Sequence, residues 1–222
     1  MINGRMTFPQ QNASLRTDED FVKHTQKEFY NQRTILEAIP RFGCVSGVPF
    51  DYMHLLLLGL TRKKIYMWIG GPLKVRLSSA QVSSISDRLV SLVGWVPCDF
   101  SRKPRILRDV KRFKATEFRL FLLFTGVLVL RDILPRALYE HFLVFHVITT
   151  IYVDPVYCRM YLHYAKALAK FYVTTFAELY GKEYASHNVH SLIHLGDDVG
   201  KFGNLDKFSA FNLRIFTKFS QS

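Results

Sequence analysis

Apolar residues recur at helical spacing over most of the second half of this chain. One face, which we expect to be buried, comprises Leu138, Phe142, Phe145 and Thr149. Such spacing, together with capping residues and prolines, predicts helices over residues 106–112, 115–132, 135–152, 155–180 and 188–202. Pro135 and Pro155 suit the first helical position, while Asp154 and Asn188 suit N-caps. With Asn188 as the cap, His187 is expected outside the last helix.

The first half reads as shorter elements. Residues 1–16 are predicted to be a loose leader, followed by helices over 17–31 and 34–39. Residues 42–50 contain Gly43, Gly47 and Pro49 with valines between them, which predicts a short strand or extended segment.

The next helix is predicted to open at Asp51 and to reach Ile69. The Gly70-Gly71-Pro72 run ends it. Ser78 and Ser79 then predict the start of a helix over 80–93.

The fold class that follows is mainly α, with at most one or two short strands near residues 42–50. Three parts are predicted: the leader 1–16, a segment 17–77 around Asp51, and a helical domain 78–222. No internal repeat or low-complexity tract interrupts the pattern.

Composition supports a packed core and a polyanionic partner. Hydrophobic residues make up 49% of the 222 residues and aromatic residues 14%, which excludes a disordered composition. The net charge of +12 favours DNA, RNA or an anionic membrane surface, although a basic solvated surface without a partner gives the same number. The apolar stretch 120–130 is too short to cross a bilayer, so no membrane span is expected.

The three cysteines are scattered, and no pair has the spacing of metal ligands. Free thiols suit the cytosol or the nucleus, and the polar first residues show no secretory signal.

The first candidate site is Asp51 with His54, three residues apart at the start of an apolar helix. Two side chains at this spacing can point the same way, and a carboxylate there can hold a divalent metal. The alternative is a capping aspartate beside an inert histidine.

The second candidate is the basic segment 101–119. Its cations, the nucleic-acid-binding candidates, are Arg102, Lys103, Arg105, Arg108, Lys111, Arg112 and Lys114, followed by Arg119. Arg105 and Arg108, and Arg108 and Arg112, are predicted to share a helical face that neutralises phosphates. A solvated face whose long stems cover the core is the equally weighted alternative.

The third candidate is the histidine run 187–194. His190 and His194 lie four residues apart and could share a metal ion, with Asp198 one turn further on. The glutamate of a zinc-protease HExxH motif is absent, and histidines hydrogen-bonded within a packed helix are the favoured alternative. Glycine-rich phosphate loops, Walker motifs and serine nucleophile elbows are also absent.

Six short motifs resemble transposase-derived proteins of the CACTA (En/Spm-like) group. In order they are RTDEDF (16–21), VPFDYMH (48–54) with Leu58-Gly59, KATEFR (114–119), DILP (132–135), FAELYG (176–181) and NVHSLIHL (188–195) with Asp197-Asp198. Each motif is weakly specific, but the ordered series covers residues 15–211. The last motif is similar to a C-terminal domain of plant En/Spm transposases.

The resemblance implies an RNase H-like fold in which three acids hold Mg²⁺ or Mn²⁺ for phosphodiester transfer. Asp51 would be the second acid and His54 its companion in the Asp-x-x-His motif. The first acid would lie upstream, on strands that this chain lacks. At the position implied for the third acid the sequence reads Asn212-Leu213-Arg214, so an arginine stands where a glutamate is expected.

These observations predict a catalytically incomplete transposase fragment that binds no metal ion by itself and retains non-specific affinity for DNA. It would be a nuclear or cytoplasmic protein, and self-association into a homo-oligomer is left open. The alternative function is a helical protein-interaction module with no nucleic-acid role.

Overall fold

The computed structural model describes residues 4, 7–8, 14–27 and 32–211 of the chain. Within these ranges it contains nine α-helices and no strand: α1 Asp18–Val22, α2 Arg62–Gly70, α3 Ser79–Ser91, α4 Ala115–Leu120, α5 Gly126–Leu130, α6 Arg136–Val153, α7 Tyr157–Met160, α8 Leu162–Tyr180 and α9 His187–Phe202. Short 3₁₀ turns cover Ile35–Ala38, Val93–Trp95, Leu107–Arg112, Lys182–Tyr184 and Leu205–Lys207. The mainly α class is therefore confirmed.

Two of the predicted helices contain wider π-helical turns. Met53–Thr61 is π-helical and continues directly into α2, and Phe121–Thr125 joins α4 to α5. The Thr61 hydroxyl donates to the Leu56 carbonyl at 2.7 Å, a bond that reaches back five residues as the wider turn does. The continuous runs were predictable, but the change in pitch was not.

The core lies between α6, α8 and α9, with the Met53–Gly70 helix packed against them. The predicted face of α6 is buried as expected. One apolar cluster includes residues from Tyr52 to Leu205, so both sides of the predicted boundary at 77/78 contribute to it. That boundary stays a prediction. No helix in the described ranges is long and apolar enough to cross a membrane.

The strand expected within residues 42–50 is not present. Residues 44–47 form a turn in which the Gly47 amide donates to the Gly43 carbonyl at 2.7 Å. The Asp18 carboxylate accepts the amides of Val45 and Ser46 at 2.8 and 2.9 Å. The Asp18 carboxylate thus satisfies the Val45 and Ser46 amides from a distant part of the sequence, and these amides do not require a neighbouring strand.

Several helix ends differ from the prediction. The helix that starts at Thr17 stops at Val22, because His24 turns back with a φ of 53°. Pro135 is the residue before α6 rather than its first residue. The predicted helix 155–180 breaks at Tyr161, whose ψ of 16° separates α7 from α8.

Asp154 caps the turn that leads into α7, whose own N-cap position is Val156. The Asp154 carboxylate accepts the amides of Val156 and Tyr157, both at 2.8 Å. The last helix instead begins one residue early: Ser186 is its N-cap, so His187 is inside α9 and the predicted cap at Asn188 is wrong.

A lysine is buried at the centre of this core. Lys64 is 1% exposed, and its Nζ lies 2.9 Å from His141 Nδ1. Four rings surround the amine within 6.0 Å: Trp68, Phe145, Tyr172 and Tyr180. Burial holds the pKa of Lys64 well below its usual value, because no carboxylate accompanies the charge into the core.

His141 is the neutral partner of this lysine. Its Nε2 lies 3.1 Å from the Tyr172 carbonyl, so Nε2 carries the proton and Nδ1 accepts from Lys64. Burial, with the nearby Lys64 charge, lowers the pKa of His141 to about 2. The imidazole therefore stays uncharged at neutral pH.

Lys64→Met should remove a pH dependence of stability. Because the folded pKa is depressed, the unfolded chain binds more protons over the window between the folded value and the ordinary one. Unfolding free energy therefore rises with pH, by up to about 1.4 kcal/mol per pH unit for one group. Urea unfolding between about pH 7 and about pH 9 avoids the histidine and tyrosine titrations.

The matched control is Lys170→Met, which removes an exposed lysine and should keep the wild-type pH dependence. A Lys64→Met variant with an unchanged slope would contradict the assignment.

Candidate functional site

Asp51 and His54 meet at the start of the Met53–Gly70 helix. Asp51 Oδ2 accepts the His54 backbone amide at 2.9 Å and also contacts the His54 ring at Nδ1. Asp51 Oδ1 accepts the Ala210 amide at 2.7 Å. The carboxylate is therefore an N-cap and also fastens residue 210 to the helix, whereas the imidazole is mostly exposed.

Two other carboxylates lie on α9 and have different partners. Asp198 Oδ2 accepts the Phe50 amide at 2.8 Å, and burial raises the pKa of Asp198. Asp197 pairs with Lys166 at 2.7 Å. Asp198 thus binds the backbone amide of Phe50, while Asp51 binds the backbone amides of His54 and Ala210. The two carboxylates fix this segment through amides rather than through a shared ion.

No group of three or more His, Cys, Asp or Glu residues within the described ranges is arranged to hold a metal ion. Asp51 and Asp198 are the predicted metal-binding acids that lie in these ranges, and each of them accepts backbone amides instead. The sequence Asn212-Leu213-Arg214, implied to replace the third acid, lies outside the described residues.

Part of the basic segment stabilises the fold. Arg105 pairs with the buried Glu117 at 2.6 Å, and Arg102 lies 3.9 Å from the same carboxylate. Lys103 Nζ donates to the Pro97 carbonyl at 3.0 Å and to the Val96 carbonyl. These three candidates hold the loop before α4, and Arg119 likewise pairs with Asp206 at 2.8 Å.

The remaining four cations, Arg108, Lys111, Arg112 and Lys114, are exposed. Residues 107–112 form a 3₁₀ turn rather than an α-helix, with Leu107 and Val110 buried beneath it. Three residues complete one turn, so Arg108 aligns with Lys111 rather than with Arg112. The helical face predicted for Arg108 with Arg112 is therefore not formed. Arg105 lies before the 3₁₀ turn, so it shares no helical face with Arg108 either.

The histidines of α9 form a compact cluster. His190 Nε2 and His194 Nε2 lie 3.1 Å apart, and Phe8 packs on the rings of His187 and His190. Burial, followed by the neighbouring histidines, lowers the pKa of His190. A nitrogen-to-nitrogen hydrogen bond accounts for this geometry.

Lys64 and His141 were not among the sequence candidates. Arg62, Lys63 and Lys64 are adjacent cations in an apolar helix, and nothing local distinguishes them. Arg62 is exposed, while Lys63 reaches the Tyr184 carbonyl and Ser186. The aromatic residues that enclose Lys64 come from α2, α6 and α8, so only the packing selects it.

No protein-family model, no curated protein and no solved structure matches this chain. The resemblance to CACTA transposases therefore stays a prediction that depends on the quoted motifs.

Asp51→Ala should destabilise the protein by about 1–3 kcal/mol, because it removes an N-cap and leaves the Ala210 amide without its acceptor. Asp51→Asn keeps one oxygen acceptor and should lose less. His54→Ala, which truncates an exposed ring, should change stability by about 0.5 kcal/mol or less. Urea unfolding followed by circular dichroism measures all three, and equal losses for His54→Ala and Asp51→Ala would contradict the capping role.

Proposed function

We propose that this chain binds duplex DNA non-specifically through an exposed basic surface, Arg108, Lys111, Arg112 and Lys114, and does not itself catalyse phosphodiester transfer. The observation that carries the binding proposal is the exposure of these four cations beside a single half-buried carboxylate, Asp109. Cations that are not paired within the protein can replace the counterions of a phosphate backbone.

The spacing of the surface supports phosphate contacts. Arg108 and Lys111 lie on one side of a 3₁₀ turn, about 6 Å apart along its axis, so each can meet a different phosphate. The turn itself is anchored by Leu107 and Val110, and the buried Glu117 holds the adjacent arginines. Long cationic side chains on an anchored turn suit contacts to the phosphate backbone of DNA, which carry no information about its base sequence.

Inactivity is proposed from the chemistry of Asp51. Two-metal phosphodiester transfer needs several carboxylates around a pair of divalent ions. Both Asp51 oxygens are occupied by amide donors, and Asp197 and Asp198 have partners of their own. A relationship to CACTA transposases is part of the proposal, and it is supported by the quoted motifs alone.

Duplex binding should weaken steeply with salt, and Arg108→Glu/Arg112→Glu should flatten that dependence. Each lost phosphate contact reduces the slope of log K against log salt by about 0.9, so the double variant should lose about two units. Fluorescence anisotropy of a labelled random-sequence duplex over a salt series measures the slope.

The control for this experiment is Arg62→Glu/Arg76→Glu, which makes the same change in net charge at two exposed arginines elsewhere. An equal effect of both double variants would show that net charge, not this surface, drives binding. Absence of duplex binding at low salt would favour the protein-interaction module instead.

The chain should not nick supercoiled plasmid with Mg²⁺ or Mn²⁺, and neither should Arg214→Glu or Asp51→Asn. A single capping carboxylate cannot position two ions, and a glutamate at position 214 would add only one more carboxylate. Gel analysis of the plasmid forms measures nicking. Metal-dependent nicking by the unmodified chain that disappears in Asp51→Asn would overturn the inactivity proposal.

A further inference from the structure

A row of aromatic side chains is exposed along α7 and α8. Tyr157, Tyr161, Tyr164 and Phe171 are each between 46% and 55% exposed. Tyr164, Leu168 and Phe171 share one edge of α8 by their spacing, and the rings of Tyr157 and Tyr161 lie 6.0 Å apart at its start. Large aromatic residues exposed in a row are a feature that packing of the core does not explain.

The tyrosines border a groove of about 300 Å³ between this edge and α6. Its other wall consists of His146, Val147, Thr150 and Ile151. This volume is at the lower end of the range for small-ligand pockets, and the lining is apolar and aromatic. The groove is therefore large enough to admit a ring that stacks on these tyrosines.

The opposite edge of α8 is cationic. His163, Lys166 and Lys170 follow each other on α8 at intervals of three and four residues, and Arg159 lies just before it on α7. Residues 155–177 contain no Asp or Glu, and the acid that reaches this edge from α9 is Asp197, which pairs with Lys166. Arg159 and Lys170 remain exposed.

The aromatic edge and the cationic edge are separated by a narrow strip of the α8 surface with small side chains. The buried residues Ala165, Ala169, Tyr172, Val173 and Phe176 face the core, which leaves the aromatic edge and the cationic edge on either side of the exposed arc. Ala167 lies on that arc and adds little bulk. A ligand with stacking rings on one side and negative charges on the other would match this face.

We propose that the exposed face of α8 binds single-stranded nucleic acid, with bases stacked on Tyr157, Tyr161 and Tyr164 and phosphates beside Arg159 and Lys170. Aromatic platforms combined with a cationic track are the general means of binding single strands. The bases of duplex DNA are already stacked on one another inside the double helix, so they cannot stack on the tyrosines. This surface is separate from the basic surface at 108–114, and the inference does not depend on the proposed duplex binding.

An anionic membrane fits this face less well. Interfacial helices insert a broad apolar face, whereas the broad apolar face of α8 is buried in the core. The exposed aromatic edge is a single row with hydroxyl groups at three of its four rings.

Fluorescence anisotropy with a labelled oligo-dT of about 20 nucleotides tests the proposal, since that length exceeds typical single-strand site sizes. Tyr164→Ala should weaken binding by at least about five-fold, because stacking on one ring contributes that much or more. Tyr164→Phe keeps the ring and should bind as the unmodified chain does. The matched control, Tyr66→Ala, removes a tyrosine that is 39% exposed on α2 and should also leave binding unchanged.

A second arm uses Arg108→Glu/Arg112→Glu with the same oligonucleotide. Tyr164-dependent binding that persists in this variant supports the inference, whether or not duplex binding is found. Binding that is lost in this variant and unaffected by Tyr164→Ala would place the single strand on the basic surface and overturn it.

Three further outcomes would also overturn the inference. They are equal losses for Tyr66→Ala and Tyr164→Ala, no oligo-dT binding at low salt, and Tyr164-dependent binding to phosphatidylserine-containing vesicles in place of oligo-dT. Circular dichroism of each variant verifies that the helices are intact.

Discussion

The structure depends on the burial of one helix, Met53–Gly70, on nearly all of its sides. Its first half lies against α4 and α9, and its second half lies beneath rings from α6 and α8. A helix in that position must be apolar except along the one narrow stripe, including His54, Arg62 and Tyr66, that stays exposed. Leu55, Leu56 and Leu57 are all buried in succession, and the wider turn accommodates them. The polar groups that enter this environment are correspondingly few and specific.

Two charged groups, Asp51 at the start of this helix and Lys64 within it, are accommodated in different ways. Asp51 satisfies amides at the start of the helix and also binds the Ala210 amide, so one carboxylate joins residues 159 apart in the sequence. Lys64 enters the core with a neutral histidine and four rings but no counter-charge. Amide donors compensate the negative charge of Asp51. The neutral histidine and the rings compensate the positive charge of Lys64 only in part, so burial lowers the pKa of Lys64.

The cations of the chain consequently divide into two classes with different physical roles. Arg102, Lys103 and Arg105 bind carbonyl or carboxylate groups and fix the loop before α4. The four at 108–114, together with Arg159 and Lys170, extend into solvent. The net charge of +12 therefore overstates the positive charge that a partner can contact. The exposed cations occupy two surfaces, which differ in the side chains around them. One surface has charge alone, whereas the other combines charge with aromatic rings.

The sequence by itself determined the helical content, the buried face of α6, the caps at Asp51, Ser78 and Asp154, and the clustering of basic residues. These features depend on contacts within one or two turns, so spacing and residue type suffice to predict them. Only the tertiary structure decided the rest. Selection of Lys64 for burial, engagement of Asp51 by Ala210 and pairing of Arg105 with Glu117 each depend on segments distant in sequence. The turn that replaced the expected strand at 42–50 depends in the same way on Asp18, because a local pattern does not specify which distant acceptor satisfies a backbone amide.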